Sequence, residues 1–194
     1  MSNVRLGLPG LNTMSCIVLM QLGALIYGGA TIYQQRPEFI VFGIDRFTTV
    51  TAAEVEFDKL NYPELKRIIG IGPLLAQAHP PADPKLRQEL LFDIVTGGAK
   101  DLEFRAELYE PYRPDLTQLR SRSIDLQKIM TLSADAKTAI DNFIAHHGGR
   151  LESYLYLPLR GKNADIVIVL SPQDGMPMSS ISISPWLSDY QNAQ

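Results

Sequence analysis

Apolar and polar positions fall into distinct regimes along the chain. From Met14 to Tyr33 the string MSCIVLMQLGALIYGGATIY contains no charged side chain. At 1.5 Å per residue its 20 positions form a helix about 30 Å long, the hydrocarbon thickness of a bilayer, whereas buried core helices are usually shorter. The run reads as a membrane helix behind a short leader, residues 1–13. Two rivals share its composition. One is a wholly buried helix of a soluble protein; the other is a cleavable secretory signal, for which Gly28 and Ala30 have the small-residue spacing of a cleavage site.

Beyond Pro37 the pattern changes to that of a folded domain, residues 36–190. EFIVFGI and RFTTVTAAEV are rich in Val, Ile, Phe and Thr and read as two strands, with Asp45 and Arg46 at the join. DPKLRQELLFDIVTGG predicts a helix from Asp83, with proline at its first position, apolar residues at helical spacing, and a stop at Gly97 and Gly98. PPAD and EPYRP are proline-punctuated connections. Leu116 to Met130 is ambiguous helix, whereas SADAKTAIDNFIAHHGG has Ser133 as N-cap and Gly148 as stop. Three strands close the chain: LESYLYLPLRG, the β-branched run ADIVIVLS, and MSSISISPW after the turn SPQDG. The expected fold class is α+β: an N-terminal transmembrane helix followed by an antiparallel-sheet domain in the order ββ, helices, βββ. PAS-like and Cache-like domains share that order.

Charge sharpens the division. Of 18 Lys and Arg only Arg5 precedes residue 34, and none of the 21 Asp and Glu does, so the remainder carries a net −4. No clustered basic face supports a nucleic-acid footprint. Cys16 is the single cysteine, so neither an intrachain disulfide nor a Cys-ligated zinc site is available. Orientation in a membrane is weakly coded, with Arg5 on one side of the run and Arg36 on the other.

Candidate chemistry is sparse. Within the apolar run Gly23, Ala24, Gly28 and Gly29 are small, and Ala24 and Gly28 are four apart on one helical face. Such spacing allows close approach of a second membrane helix, with Gln21 available for a hydrogen bond across the contact. His146 and His147 end a predicted helix, where cations suit the dipole, and His79 lies in a separate proline loop. No G-x-S-x-G elbow accompanies the serines, and GIGP at 70–73 lacks the Lys and Ser/Thr of a phosphate loop. Asp45 and Arg46 come soon after Arg36. Neighbouring strand residues face opposite sides, so they are not expected to pair with each other. The pair reads either as a turn aspartate with a surface arginine, or as a guanidinium that binds a partner's carboxylate.

One further comparison draws on these strings together. Gln21, Ala24, Leu25, Tyr27, Gly28, Arg36 and Pro37, followed by Asp45–Arg46–Phe47, resemble the segment shared by type IV pilin accessory proteins of the TfpX/TfpZ, or FimB-type, family. Gly72–Pro73, the stretch from Gly97 to Tyr112, and the terminal pattern from Asp174–Gly175 to Trp186 extend the resemblance over nearly all of the chain from about residue 14. A start of prepilin type is a poor match: Gly10–Leu11 suits a processing site, but the fifth mature position is Ser15 where pilins have glutamate. The resemblance implies a single-pass bacterial inner-membrane protein whose periplasmic domain assists or modulates pilus assembly with a major type IV pilin, without catalysis or cofactor. Gln21, Gly23, Ala24, Gly28, Arg36, Asp45 and Arg46 are then the partner-binding candidates. Family members usually carry further membrane helices ahead of this one, and here only MSNVRLGLPGLNT stands there. The alternative is a membrane-tethered extracytoplasmic sensor of PAS or Cache type that binds a small molecule.

Overall fold

In the computed structural model, which describes residues 9–66, 72–98 and 100–191, helix α1 runs from Pro9 to Gln35. The chain divides after Arg36 into two units, Met1–Arg36 and Pro37–Gln194. In the first, Met14–Tyr33 is long and apolar enough to cross a membrane, and none of its most apolar window is buried. The helix is thus not packed as a core element of its own unit, as a membrane span would not be. Near the end of α1 the Arg36 guanidinium lies over the Tyr33 ring, 4.1 Å from its centroid. This pairing of a cation with an amphipathic aromatic is the kind that marks a membrane–water boundary.

The second unit is an α+β domain. Its strands are β1 (Pro37–Phe42), β2 (Phe47–Thr51), β3 (Leu74–Ala78), β4 (Tyr109–Pro111), β5 (Leu155–Arg160), β6 (Ile166–Leu170) and β7 (Pro177–Ile181). Its helices are α2 (Pro84–Val95), α3 (Leu116–Arg122), α4 (Leu126–Leu132), α5 (Ala134–His147) and α6 (Leu187–Gln191). The strands form one sheet in the order β4-β3-β1-β2-β5-β6-β7. The five expected strands lie side by side in chain order, but the sheet is mixed and not purely antiparallel: β1 pairs with β3, and β2 with β5, in parallel. Both parallel pairs follow long connections, which a hairpin cannot replace. The two extra strands were invisible to pattern reading, since LLAQA lacks β-branched residues and β4 is three residues long and ends at Pro111 on a sheet edge.

Helix ends follow the polar punctuation. Asp83 accepts a hydrogen bond from the Lys85 amide at 2.8 Å, Pro84 opens α2, and Gly97 at φ +74° ends it. The Ser133 hydroxyl accepts from the Ala136 amide at 3.2 Å, and Gly148 at φ +76° closes α5. Leu116–Met130 resolves into two short helices because Ser123 turns extended and Asp125 caps a new start, accepting from the Gln127 amide. Gly72 has φ +71°, as a turn requires, while Gly70 and Ile71 of the GIGP string lie outside the described residues.

Strand alternation buries both faces of the sheet. On one face Phe39, Val41 and Val50 pack with Tyr109 and with Leu90 of α2. Farther along that face Tyr156, Val167 and Val169 pack under Ile129, Ile140 and Phe143 of α4 and α5. On the other face Phe42 and Phe47 meet Leu157, Leu159 and Ile168 beneath Leu119 of α3. Only two residue pairs, Phe47 with Leu159 and Thr48 with Arg160, join β2 to β5. Next to this short ladder the segment between α3 and α4 lines β5: the Ile124 amide donates to the Tyr156 carbonyl at 2.8 Å, and the Tyr156 amide donates to the Ser123 hydroxyl at 3.0 Å.

Gly175 tests this packing. It has φ +69°, and a Cβ there would stand 2.6 Å from Pro114 Cβ and 2.7 Å from Leu119 Cδ1. Gly175→Ala should combine left-handed strain with overpacking and cost about 2–4 kcal/mol. Gly97→Ala, where φ is +74° with nothing within 4 Å, carries the strain alone and should cost about 1 kcal/mol. Denaturant midpoints of the full chain in detergent micelles check the difference.

Candidate functional site

The turn between β1 and β2 organises the most polar corner of the domain. Gly43 donates its amide to the Arg46 carbonyl at 3.0 Å, closing the hairpin. The six residues of β1 separate this turn from Pro37 by roughly 20 Å at about 3.3 Å per residue, so the turn lies at the far end of the strand from the domain's first residue. Asp45 and Arg46 form a bidentate pair, Nε to Oδ1 at 2.8 Å and Nη2 to Oδ2 at 3.0 Å. This corrects the expectation that they would point apart: both belong to the bend, where strand alternation does not operate. The guanidinium's fork is thus occupied within the chain, and the Arg46 hydrogen bond holds the Asp45 carboxyl below the usual carboxylate range.

From this pair a chain of contacts runs across the sheet. The Arg46 guanidinium lies 5.1 Å from the centroid of Trp186, whose indole N–H donates to Asp165 Oδ2 at 2.7 Å. Asp165 Oδ1 in turn accepts the Gly161 amide at 3.2 Å, in the turn between β5 and β6. Beneath, on the opposite face, the Tyr112 ring packs edge-on to Phe47 at 5.6 Å, and its hydroxyl donates to the Gly175 carbonyl at 3.0 Å. Burial pushes the Tyr112 hydroxyl's pKa upward, which keeps it a donor. Four parts of the family resemblance, Asp45–Phe47, Tyr112, Gly175 and Trp186, therefore meet around the short β2–β5 ladder.

Between the turn and α2 lies a groove of about 280 Å³. Leu90, Leu91 and Ile94 of α2, with Ile44 and Leu102, form its apolar surface. Its polar rim holds the Asp45–Arg46 pair, Arg160 and Asp101 at 3.7 Å from each other, and Glu103. Glu103 packs against Gly43 so closely that a Cβ there would fall 2.5 Å from its Oε1. Neither Glu103 nor the groove was among the sequence candidates. The only sequence signal for the groove was the count of Leu, Phe and Val on a helix that buries Leu90 alone.

The remaining candidates belong to the other unit. Gln21, Ala24 and Gly28 share one face of α1 at about 100° per residue, whereas Gly23 stands about 160° around from Gln21. A Cβ added at Gly23 or Gly28 would meet nothing within 4 Å. Arg36 caps that unit over Tyr33. His147 stacks on Phe143 at 4.4 Å at the end of α5, and among the described residues no cluster of three His, Cys, Asp or Glu could hold a metal.

Trp186, the one tryptophan of the chain, reports on this corner. Asp165→Asn and Arg46→Ala should each shift its emission, and a double-mutant cycle between Asp45 and Arg46 should give a coupling of about 0.5–1 kcal/mol, because both side chains are partly exposed. The native Asp45 carboxyl titrates below its unfolded value of ~3.9, so the pair's stabilisation is complete above about pH 5 and is lost as pH falls through the lowered native value. In acid titrations followed by tryptophan emission, the stability gap between the native chain and Asp45→Asn should close below that pH.

The chain is similar to two proteins of Dichelobacter nodosus. It is 30% identical to the fimbrial assembly protein of serogroup I over 152 residues, 75% of this chain and 57% of the relative. It is 26% identical to the fimbrial assembly protein of serogroup E1 over 148 residues, again 75% of this chain and 57% of the relative. The chain thus spans 57% of the length of the curated relatives it matches. No family model matches the chain, and no solved structure does. By these similarities the chain is a distant relative of fimbrial assembly proteins.

Proposed function

We propose that this chain is a membrane-anchored accessory protein of type IV pilus assembly, of the TfpX/TfpZ kind, that works by binding a pilin and not by catalysis. The observation that carries the reading is the 30% identity to a fimbrial assembly protein across 75% of the chain. In this reading α1 is the anchor in the bacterial inner membrane, and the domain from Pro37 onward is periplasmic. The Gln21, Ala24 and Gly28 face is where a second membrane helix approaches. Nothing within the described chain requires small residues there, because the space beside Gly28 is open, whereas a closely packed neighbour does require them. A pilin before assembly carries an apolar helix in the same membrane, so the contact is available to both proteins. The groove on the domain is open to solvent, whereas a small-molecule pocket buries most of its ligand's surface, which favours this reading over a tethered sensor.

Deletion of the gene should change the number of surface pili while leaving pilin in the cell. Photocrosslinkers at positions 24 and 28 should capture pilin, and more strongly than one at 23. Normal piliation in the deletion strain would reject the role. Crosslinks from all three positions that never contain pilin would reject the membrane contact.

A further inference from the structure

Helix α2 is poorly covered for its length. Of its 12 residues only Leu90 is buried, while Leu91, Phe92 and Val95 are 48%, 68% and 85% exposed. At about 100° per residue these three side chains span roughly 100° of the helix surface, a continuous apolar stripe. Leu91 also lines the groove beside Ile94, and on the groove's far wall Ile44 is 49% exposed. The stripe and the groove therefore form one apolar surface with a polar rim, the signature of an interaction site.

Charge selects among the possible occupants. The rim holds three carboxylates, Asp45, Asp101 and Glu103, against two guanidinium groups, Arg46 and Arg160. Asp45 is matched by Arg46, and Asp101 is close to Arg160, which leaves Glu103 as the excess charge. From Pro37 onward the chain has 16 Lys and Arg against 21 Asp and Glu. An anionic lipid surface is repelled by this balance. A second copy would bring a patch with the same excess negative charge, since a two-fold contact sets one patch against its own copy. What fits is a basic side chain, whose aliphatic stem lies on Leu91 and Ile94 while its head reaches Glu103.

We infer that the α2 stripe and its groove are the domain's docking surface for a protein segment that sets a lysine or arginine beside apolar anchors. This rests on the pilin-binding reading and extends it by making that segment part of the pilin. The contact is separate from the one along α1, so each can fail without the other.

The test is photocrosslinking of the full-length chain in piliated cells, with benzoylphenylalanine in place of Phe92 and, as control, of Lys137 on α5. Position 92 should yield an adduct with pilin mapped by mass spectrometry next to a lysine or arginine, and position 137 should not. Glu103→Arg should lower the yield from position 92 at least fivefold and Glu103→Gln about twofold, with Trp186 emission unchanged in both as proof of folding. Adducts made only with lipid, with a second copy or with another protein would overturn the inference, as would a yield indifferent to Glu103→Arg. Absence of pilin adducts in cells whose deletion strain still shows altered piliation overturns the docking surface alone. A deletion strain with normal piliation overturns the underlying role.

Discussion

Two residue pairs hold the sheet in one piece. The parallel ladder of Phe47 with Leu159 and Thr48 with Arg160, with the Thr49 hydroxyl donating to the Arg160 carbonyl at 3.1 Å, is the join between strands β1–β4 and strands β5–β7. Two parallel pairs contribute little by themselves, so the seam depends on what is packed over it. On one face that is a hydrophobic cluster containing Phe42, Phe47, Leu157, Leu159 and Leu119. On the other it is the Arg46–Trp186–Asp165 chain, which ties the first hairpin to the last segment of the domain. The contacts from Arg46 to Asp165 and from Tyr112 to Gly175 both follow from the need to close this seam.

That need separates what was readable in the sequence from what was not. Elements announced by local chemistry were legible: the uncharged α1, the capped helices α2 and α5, and the strands rich in β-branched residues. Hidden elements were those made by their neighbours. β3 is a strand because it lies against β1, burying Ala76 and Ala78 under Tyr109 and Leu102, not because Leu, Ala and Gln favour strands. Parallel pairing was equally silent, since alternation along one strand says nothing about the direction of the next.

The site shows the same division. Asp45 and Arg46 stood out as a charged pair at a strand join, but period-two reasoning assigned them to opposite faces, and it is the bend that turns them together. Asp45–Phe47, Tyr112, Gly175 and Trp186, separate patches in the sequence, proved to be one neighbourhood in space. Part of that neighbourhood is plainly architectural: Gly175 is small because Pro114 and Leu119 leave no room, and the Tyr112 hydroxyl is spent on its carbonyl. The exposed part is the groove beside α2, whose residues are ordinary as letters and become distinctive only because the helix leaves them uncovered.

The segment that leads from α3 to α4 has a protective consequence as well. Where β5 runs past the short ladder, its backbone would offer a free edge in the middle of the sheet, a template onto which a foreign strand could zip. Ser123 and Ile124 occupy that edge, saturating both the amide and the carbonyl of Tyr156. The sheet's weakest junction is thereby closed to strand invasion, and the domain is kept from joining a neighbouring chain through an edge in the middle of its own sheet.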